Sequence, residues 1–225
     1  DGPVPGYLRF LPGVATFQST LTSGEWDVFI SADSSDAERT GECGAYARAH
    51  SRVEINLDHH VTNTVFGDIK LVVPEAVSAA EVAYDFLTAA GYAIPVESAK
   101  ALLTGMVTDT IGFRTSNVVP RTLDIARDLM ERGASLTEIT ALTLDTRSFD
   151  SLLVWREALN SLKLEDGVIF ASVSFEVFRT LHADPAIDLN LSGFLVKVEE
   201  ARISAVFKEK YDGRVDCSFR AKLGY

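Results

Sequence analysis

Short apolar segments alternate with helix-like segments over the first 145 residues, and this alternation limits the fold more than any other feature. Three segments are predicted to be short apolar strands, each ending in polar or acidic residues: WDVFISADSSD, RVEINLDHH and KLVVPEA. Three others have helical spacing, with Pro95 at one start and Gly91 and Gly133 near two ends: AVSAAEVAYDFLTAAGY, PVESAKALLTGMVTDT and PRTLDIARDLMERGA. Buried strands that alternate with helices predict an α/β domain with a parallel sheet.

The pattern changes near residue 165, which predicts a second, smaller α/β domain. LEDGVIFASVSFEVFRTL begins a new stretch, and ARISAVFKEKYDGRVDCSFRAKL has two alternating arms on either side of Asp212-Gly213. That pair favours a tight turn, so the segment is predicted to be a β-hairpin. We therefore predict a first domain over residues 1–147, a connector helix over 148–163 and a second domain over 164–225.

Composition excludes several classes of protein. The formal net charge of the 225 residues is -11, without a basic stripe, which argues against passive binding of a phosphate backbone. An acidic protein that handles phosphates needs cations in its site, either metal ions or a few placed arginines. No apolar run is long enough for a membrane span. Cys43 and Cys217 are far apart and lack CxxC spacing, so we expect reduced thiols and a cytoplasmic location.

Polar clusters stand where three of the predicted elements end. Asp33 follows the strand VFISA, Asp58-His59-His60 follows VEINL, and Asp109 ends the helical run LLTGMVT. Ligands of parallel sheets bind beyond the carboxyl ends of the strands. Carboxylates with imidazole suit a borderline or hard divalent cation such as manganese. Singly, Asp33 could cap a helix, Asp109 could mark a helix end and His59 could be a loop histidine; together they predict a metal site.

The segments around these clusters resemble the motifs of a known family, the DHH phosphoesterase superfamily. ADSSDAERTG resembles its second motif, NLDHHVTNTVFGD its third, and GMVTDTIGFRTSNVVPRTLDIARDLMERGA its fourth. They come in family order and cover most of residues 1–145. KEKYDGRVDCSFRAK resembles the hairpin of the DHH-associated domain. The resemblance implies a parallel-sheet DHH domain followed by a smaller α/β DHH-associated domain that binds substrate.

The resemblance also implies roles for single residues. Asp33 matches the carboxylate that bridges two manganese ions, and His59 and Asp109 match ligands of one of them. Asp58 is expected to orient a ligand, since metal-bound imidazoles commonly need such support. His60 is expected to face the substrate phosphate, and we count it with Asp58 as catalytic.

Three further residues are candidates for substrate binding. Arg114 follows the fourth motif and is a candidate phosphate contact, with a surface ion pair as the alternative. Ser218 and Arg220 share one face of the predicted hairpin and are expected to reach towards the cleft between the domains. The alternative for both is an exposed hairpin face. The sequence leaves open whether the metal is magnesium or cobalt instead of manganese. It also leaves open whether the protein forms a homodimer.

The implied reaction is hydrolysis of a phosphate ester. Two cations about 3.5–4 Å apart activate a hydroxide and neutralise the phosphoryl oxygens, and the attack at phosphorus is in line. The resemblance favours a manganese-dependent nanoRNase/pAp phosphatase, with short single-stranded oligonucleotides or 3′-phosphoadenosine 5′-phosphate as substrates. A cyclic-dinucleotide phosphodiesterase and a degenerate, non-catalytic nucleotide-binding module are the alternatives. Inorganic pyrophosphatase is disfavoured, since a basic SRKK-like cluster is absent.

The sequence departs from the family pattern at both ends. The N-terminal HxxxDxD motif, which supplies most ligands of the other metal, is absent, and so is the glycine-rich GGGH stretch that closes the second domain. YLRFLPG resembles the segment that follows the first motif. We therefore expect the chain to be the middle of a longer protein, and expect these 225 residues alone to be inactive.

Overall fold

The computed structural model describes residues 4–187, 189–222 and 224–225, and the chain divides into two compact units. The first unit is Asp1–Thr146 and the second is Arg147–Tyr225. Each unit contains its own sheet, of three and four strands respectively. The predicted fold class, a parallel-sheet α/β domain followed by a smaller α/β domain, is confirmed.

The sheet of the first unit is parallel, as the sequence predicted. Its strands are β1, Trp26–Ala32; β2, Ser51–Asp58; and β3, Ile69–Val72. They lie in the order β1-β2-β3, so β2 is central. The register pairs Ala32 with Leu57, and the backbone N–H of Asp33 donates to the carbonyl of Leu57 at 2.9 Å. This parallel pairing puts the residues after β1 and β2 at one edge of the sheet.

The helices of the first unit pack against its sheet and against one another. They are α1, Gly41–Ala49; α2, Ala79–Ala89; α3, Val96–Asp109; α4, Pro120–Glu131; and α5, Leu136–Thr140, which continues into a π-type turn at Ala141–Asp145. Single 3-10 turns occur at Gly6–Leu8, Val14–Thr16 and Glu38–Thr40. Apolar side chains of α3, α4 and α5 make up much of the core: Leu103, Met106, Val107, Ile125, Leu129 and Ile139.

A glycine inside α3 lets this helix approach α2 closely. A Cβ added at Gly105 would lie 2.7 Å from the Cβ of Ala80, closer than two carbon atoms can pack. Glycine in a helix interior costs about 1 kcal/mol relative to alanine, so the close approach gives a physical reason for it. Asp109 is the last residue of the same helix, four positions further on.

The second unit is built on a mixed sheet. Its strands are β4, Lys163–Glu165; β5, Val168–Val173; β6, Ile203–Glu209; and β7, Val215–Ala221. β5 and β6 are parallel and the outer pairs are antiparallel. The predicted hairpin is β6–β7. The helices are α6, Phe149–Asn160; α7, Phe175–Leu181; and α8, Leu191–Leu195.

The helix predicted to connect the domains falls within the second unit. Val154 and Ala158 of α6 are fully buried in the same cluster as Phe178 of α7 and Leu191 and Leu195 of α8. Within residues 4–187, 189–222 and 224–225, no helix has the length and apolar character needed to cross a membrane.

Candidate metal centre

Asp33, His59 and Asp109 come together although they belong to three separate motifs. The Nε2 atom of His59 lies 3.5 Å from Oδ1 of Asp33 and 3.5 Å from Oδ2 of Asp109. Asp33 follows β1, His59 follows β2, and Asp109 ends α3. The carboxylate of Asp33 is about half exposed, whereas the His59 ring is mostly buried. The structure thus brings the three predicted ligands to one point; their role as ligands stays a prediction.

The ring of His59 is held from behind by a backbone carbonyl. Its Nδ1 atom lies 3.3 Å from the carbonyl oxygen of Ala76. Because a carbonyl only accepts, Nδ1 carries the hydrogen in this contact, and the neutral ring presents a lone pair at Nε2. That lone pair then faces two carboxylates. Three electron-rich groups converge on one point, which is favourable only with a proton or a cation between them.

The pKa values of His59 and Asp109 reflect this convergence of electron-rich groups. The Asp33 carboxylate, which hydrogen-bonds to the ring, is the largest cause that raises the pKa of His59. Burial of the Asp109 carboxyl, followed by the charge of Asp33, raises the pKa of Asp109. In the absence of a cation, a proton therefore stabilises the cluster.

Asp58 and His60 form a second pair beside the first cluster. The carboxylate of Asp58 is fully buried, and its Oδ1 lies 2.7 Å from Nδ1 of His60. Burial alone would raise the pKa of Asp58, but hydrogen bonds from Asn63, His60 and the backbone N–H of His59 together lower it. His60 Nδ1 also lies 3.8 Å from Asp33. The Asp58 carboxylate therefore supports the ring of His60, while Ala76 supports the ring of His59.

Two asparagines join the loops that carry these residues. Nδ2 of Asn63 contacts Oδ2 of Asp58, Oδ1 of Asn56 at 2.9 Å and the carbonyl of Ser34 at 3.1 Å. Nδ2 of the fully buried Asn56 in turn contacts Ser34 and Ser31. This network fixes the loop after β1 against the end of β2. The sequence analysis did not predict this network, although Asn56 and Asp58 lie two residues apart on the same face of β2.

Left-handed backbone conformations at non-glycine residues mark all three motifs. Asp33 has φ 58°, Val65 has φ 58°, and Ile111 and Phe113 have φ 52° and 60°. Left-handed geometry is strained for β-branched residues, and such strain clusters at functional sites. After Asp109, the hydroxyl of Thr110 stabilises the turn by accepting the backbone N–H of Phe113 at 2.8 Å.

The donor atoms fit a borderline or hard divalent cation. Asp33, Asp58, His59 and His60 each offer one ligand atom, all within 4.8 Å of one another. Asp109 is not in that group of four but lies 3.5 Å from His59. Both oxygens of Asp58 already accept hydrogen bonds, whereas Asp33 and Asp109 are more exposed. We therefore favour Asp33, His59 and Asp109 as ligands, while the Asp58 carboxylate holds the ring of His60.

The candidate substrate contacts lie in both units. The guanidinium of Arg114 donates to the carbonyl of Ile111 just beyond Asp109. In the second unit, Ser218 and Arg220 lie on β7 opposite Val206 and Ser204 of β6. They line a cavity of about 350 Å³ together with Asn190, Ser192 and Lys208 among other residues.

Comparison with known proteins gives relatives with low sequence identity. No protein-family model matches the chain. It is 26% identical over 223 residues to the Thermus thermophilus protein named bifunctional oligoribonuclease and PAP phosphatase NrnA, covering 98% of the chain and 65% of that protein. It is 22% identical over 172 residues to the probable NrnA of Streptococcus mutans, covering 75% and 54%. The chain therefore spans less than two-thirds of these relatives.

A solved structure shares the fold over nearly the whole chain. An exopolyphosphatase-related protein from Bacteroides fragilis superimposes with a TM-score of 0.84 at 21% identity, covering 97% of this chain and 67% of that one. Fold and site define a two-unit α/β protein with a carboxylate–histidine cluster at the edge of its parallel sheet. With its ordered motifs and these relatives, the chain resembles the DHH phosphoesterase superfamily. Among named proteins it is similar to those called NrnA.

The carboxylates beside His59 predict a raised pKa for its ring, which a titration can measure. In the cation-free protein, the pKa of His59 should lie above the ordinary 6.5, because the Asp33 carboxylate stabilises the imidazolium. This contribution to folding stability is present below pH about 6.5 and is lost as the pH rises through the raised folded-state pKa. An NMR titration of the ring measures the midpoint, and Asp33→Asn should lower it.

Asp27→Asn is the matched control, since Asp27 lies on β1 with a side chain 88% exposed and pairs with Arg52. It should leave the His59 midpoint unchanged. A midpoint at or below 6.5 in the unmodified protein, or an equal effect of both substitutions, would contradict the electrostatic account of the cluster.

Proposed function

We propose that this chain is the catalytic core of a metal-dependent phosphoesterase that hydrolyses short oligonucleotides or 3′-phosphoadenosine 5′-phosphate. The observation that carries the proposal is the convergence of two carboxylates on the Nε2 lone pair of His59. The names of the Thermus and Streptococcus relatives support the class of substrate.

Asp33, His59 and Asp109 would hold the cation, which we propose to be manganese, with magnesium and cobalt as alternatives. A bound divalent cation supplies Lewis-acid chemistry, because it neutralises charge on the phosphoryl oxygens and makes water a better nucleophile. Carboxylate and imidazole donors without thiolate suit these metals. The exposed carboxylate of Asp33 leaves the cluster accessible to a substrate.

His60 and Asp58 have a different proposed role, which is to position the substrate phosphate. Asp58 holds the His60 ring through Nδ1 at 2.7 Å, which fixes the direction of the ring. We assign the Nε2 side of His60 to a phosphoryl oxygen. Arg114 is assigned to the same anion, because its charge would offset that of the phosphate.

We propose that the cavity of the second unit binds substrate. Ser218 offers a hydroxyl, and Arg220 and Lys208 offer positive charge, in a protein whose net charge is -11. Asp216 also lines the cavity, but its carboxylate forms an ion pair with Lys210 at 2.8 Å. An anionic substrate with hydroxyl groups, such as a nucleotide, matches these side chains.

A second cation requires ligands beyond these three residues, and we propose that upstream sequence supplies them. Among the described residues, β1 pairs only with β2 and is therefore an edge strand. Its Val28 and Ile30 side chains are 45% and 52% exposed. The share of the Thermus relative that the chain covers, 65%, is compatible with additional sequence.

We also propose a cytoplasmic location. Cys43 and Cys217 are both free thiols, which suits a reducing compartment.

Hydrolysis assays should identify the activity. The 225-residue chain and a version extended upstream are each assayed with manganese on 3′-phosphoadenosine 5′-phosphate, dinucleotides, cyclic di-AMP and pyrophosphate. The extended protein should cleave the first two substrates best, and the 225 residues alone should be inactive and hold at most one cation weakly. Asp33→Asn in the extended protein should lower kcat by about a thousandfold or more, and Asp27→Asn should not.

Other outcomes of the assay discriminate between functions. Preference for cyclic di-AMP would identify the protein as a cyclic-dinucleotide phosphodiesterase. Binding of nucleotides without turnover by the extended protein would assign a non-catalytic module. Equal activity of the short and extended proteins would overturn the role given to upstream ligands.

The second-unit cavity is tested by Arg220→Ala in the extended protein. Loss of one charged contact to an anionic substrate costs about 1–3 kcal/mol, so KM should rise about tenfold while manganese affinity stays unchanged. Arg214→Ala is the control, because Arg214 lies at the hairpin turn with a side chain 76% exposed and pairs with Asp212. An unchanged KM for every substrate would remove Arg220 from the binding site.

A further inference from the structure

We propose that Glu81 is a positioning residue for His59 and acts through the peptide group between Ala76 and Val77. The inference rests on the metal site proposed above. It adds a residue outside the three motif segments and the hairpin, in the first turn of α2.

The contacts form a continuous chain. Nδ1 of His59 contacts the carbonyl oxygen of Ala76 at 3.3 Å, and the N–H of Val77 donates to Oε2 of Glu81 at 3.0 Å. This carbonyl and this N–H belong to one planar peptide group, in which they point in opposite directions. Ala76, Val77 and Glu81 are 5%, 2% and 4% exposed, so water hardly competes for these bonds.

The peptide group can transmit the effect of the carboxylate. A carboxylate that accepts the N–H polarises the peptide, and its carbonyl becomes a better acceptor for the His59 hydrogen. Metal-binding histidines commonly donate their second N–H to a carboxylate or carbonyl, which fixes the tautomer and the ring direction. Here the carboxylate acts with one peptide in between, and the Nε2 lone pair stays directed at Asp33 and Asp109.

Glu81 is held in this position by a charged partner. Oε1 of Glu81 accepts from the guanidinium of Arg121 on α4 at 2.7 Å, and Arg121 also pairs with Asp85. The side chain of Glu81 is only 5% exposed, whereas that of Arg121 is 55% exposed. A buried carboxylate without such a partner would be costly, so the ion pair with Arg121 holds the Glu81 side chain beside the peptide.

Helix capping alone does not account for the direction of this side chain. The Ser78 hydroxyl accepts the N–H of Glu81 at 3.2 Å, which is half of a capping box. In the complete box, the acidic side chain returns to the N–H of the capping residue, here Ser78. Glu81 instead reaches the N–H of Val77, one residue earlier, and this N–H belongs to the peptide that holds His59.

The test begins with the cation-free, unmodified protein. Nitrogen-15 NMR of the histidine rings, recorded well above the His59 titration, gives the population of each tautomer. The Nδ1–H form of His59 should predominate at least tenfold, with a Val77 amide proton shifted downfield by its carboxylate partner. A predominant Nε2–H form would overturn the proposal, and this measurement requires no variant.

The variant Glu81→Gln removes the charge and keeps the shape. The Nδ1–H population should fall severalfold, and manganese should bind about tenfold or more weakly, as for other residues that support metal ligands. Asp128→Asn is the matched control. Asp128 also links α2 to α4, through the Tyr84 hydroxyl at 2.8 Å, but its partners are Tyr84 and Arg132.

The outcomes separate this proposal from the proposed function. A folded Glu81→Gln protein with the tautomer population of the unmodified protein, or an equal change in Asp128→Asn, would overturn the role of Glu81. If Glu81→Gln does not fold, zinc, which is diamagnetic, is titrated into the unmodified protein. The Val77 amide should then shift with the His59 ring, and a static Val77 resonance would overturn the proposal. Failure to hydrolyse any phosphate ester would instead count against the proposed function alone.

Discussion

The buried carboxylate of Asp58 is the group on which the geometry of the site depends. A fully buried ionised carboxylate is tolerated only with hydrogen-bond donors around it, and Asn63, His60 and the N–H of His59 supply them. Asn63 also binds the Ser34 carbonyl, so the same contacts hold the loop after β1. Asp33 lies in that loop. The hydrogen bonds that surround the Asp58 carboxylate therefore also hold Asp33 beside His59.

The site concentrates negative charge in a protein that is already acidic. Asp33 and Asp109 both approach His59. The Asp33 carboxylate raises the pKa of His59, and burial followed by the charge of Asp33 raises the pKa of Asp109. Such an arrangement stores electrostatic repulsion that a divalent cation relieves. The repulsion explains why a chain proposed to act on anionic phosphates has carboxylates at its site, since they serve the cation and not the substrate.

The sequence predicted the parts of the fold that follow from local patterns. The parallel strands, α2–α4 and the β6–β7 hairpin were visible from apolar spacing and turn residues, and shared motif positions predicted that Asp33, His59 and Asp109 converge. Helix α1 was missed, because GECGAYARA has no clear apolar face. The Asn63 network and the hydrogen bond from the Val77 N–H to Glu81 were also missed. They depend on which backbone groups meet in the folded chain, and the spacing of apolar residues in the sequence does not predict those contacts.

The central claim is that Asp33, His59 and Asp109 bind one divalent cation. The most direct measurement is X-ray diffraction from crystals of this chain soaked in manganese, with an anomalous difference map at the manganese edge. The account predicts one peak at about 2.0–2.2 Å from a carboxylate oxygen of Asp33, Nε2 of His59 and a carboxylate oxygen of Asp109, as expected for first-row metals. A map of fully soaked crystals without a peak there, or with the ion bound by other residues, would contradict the account.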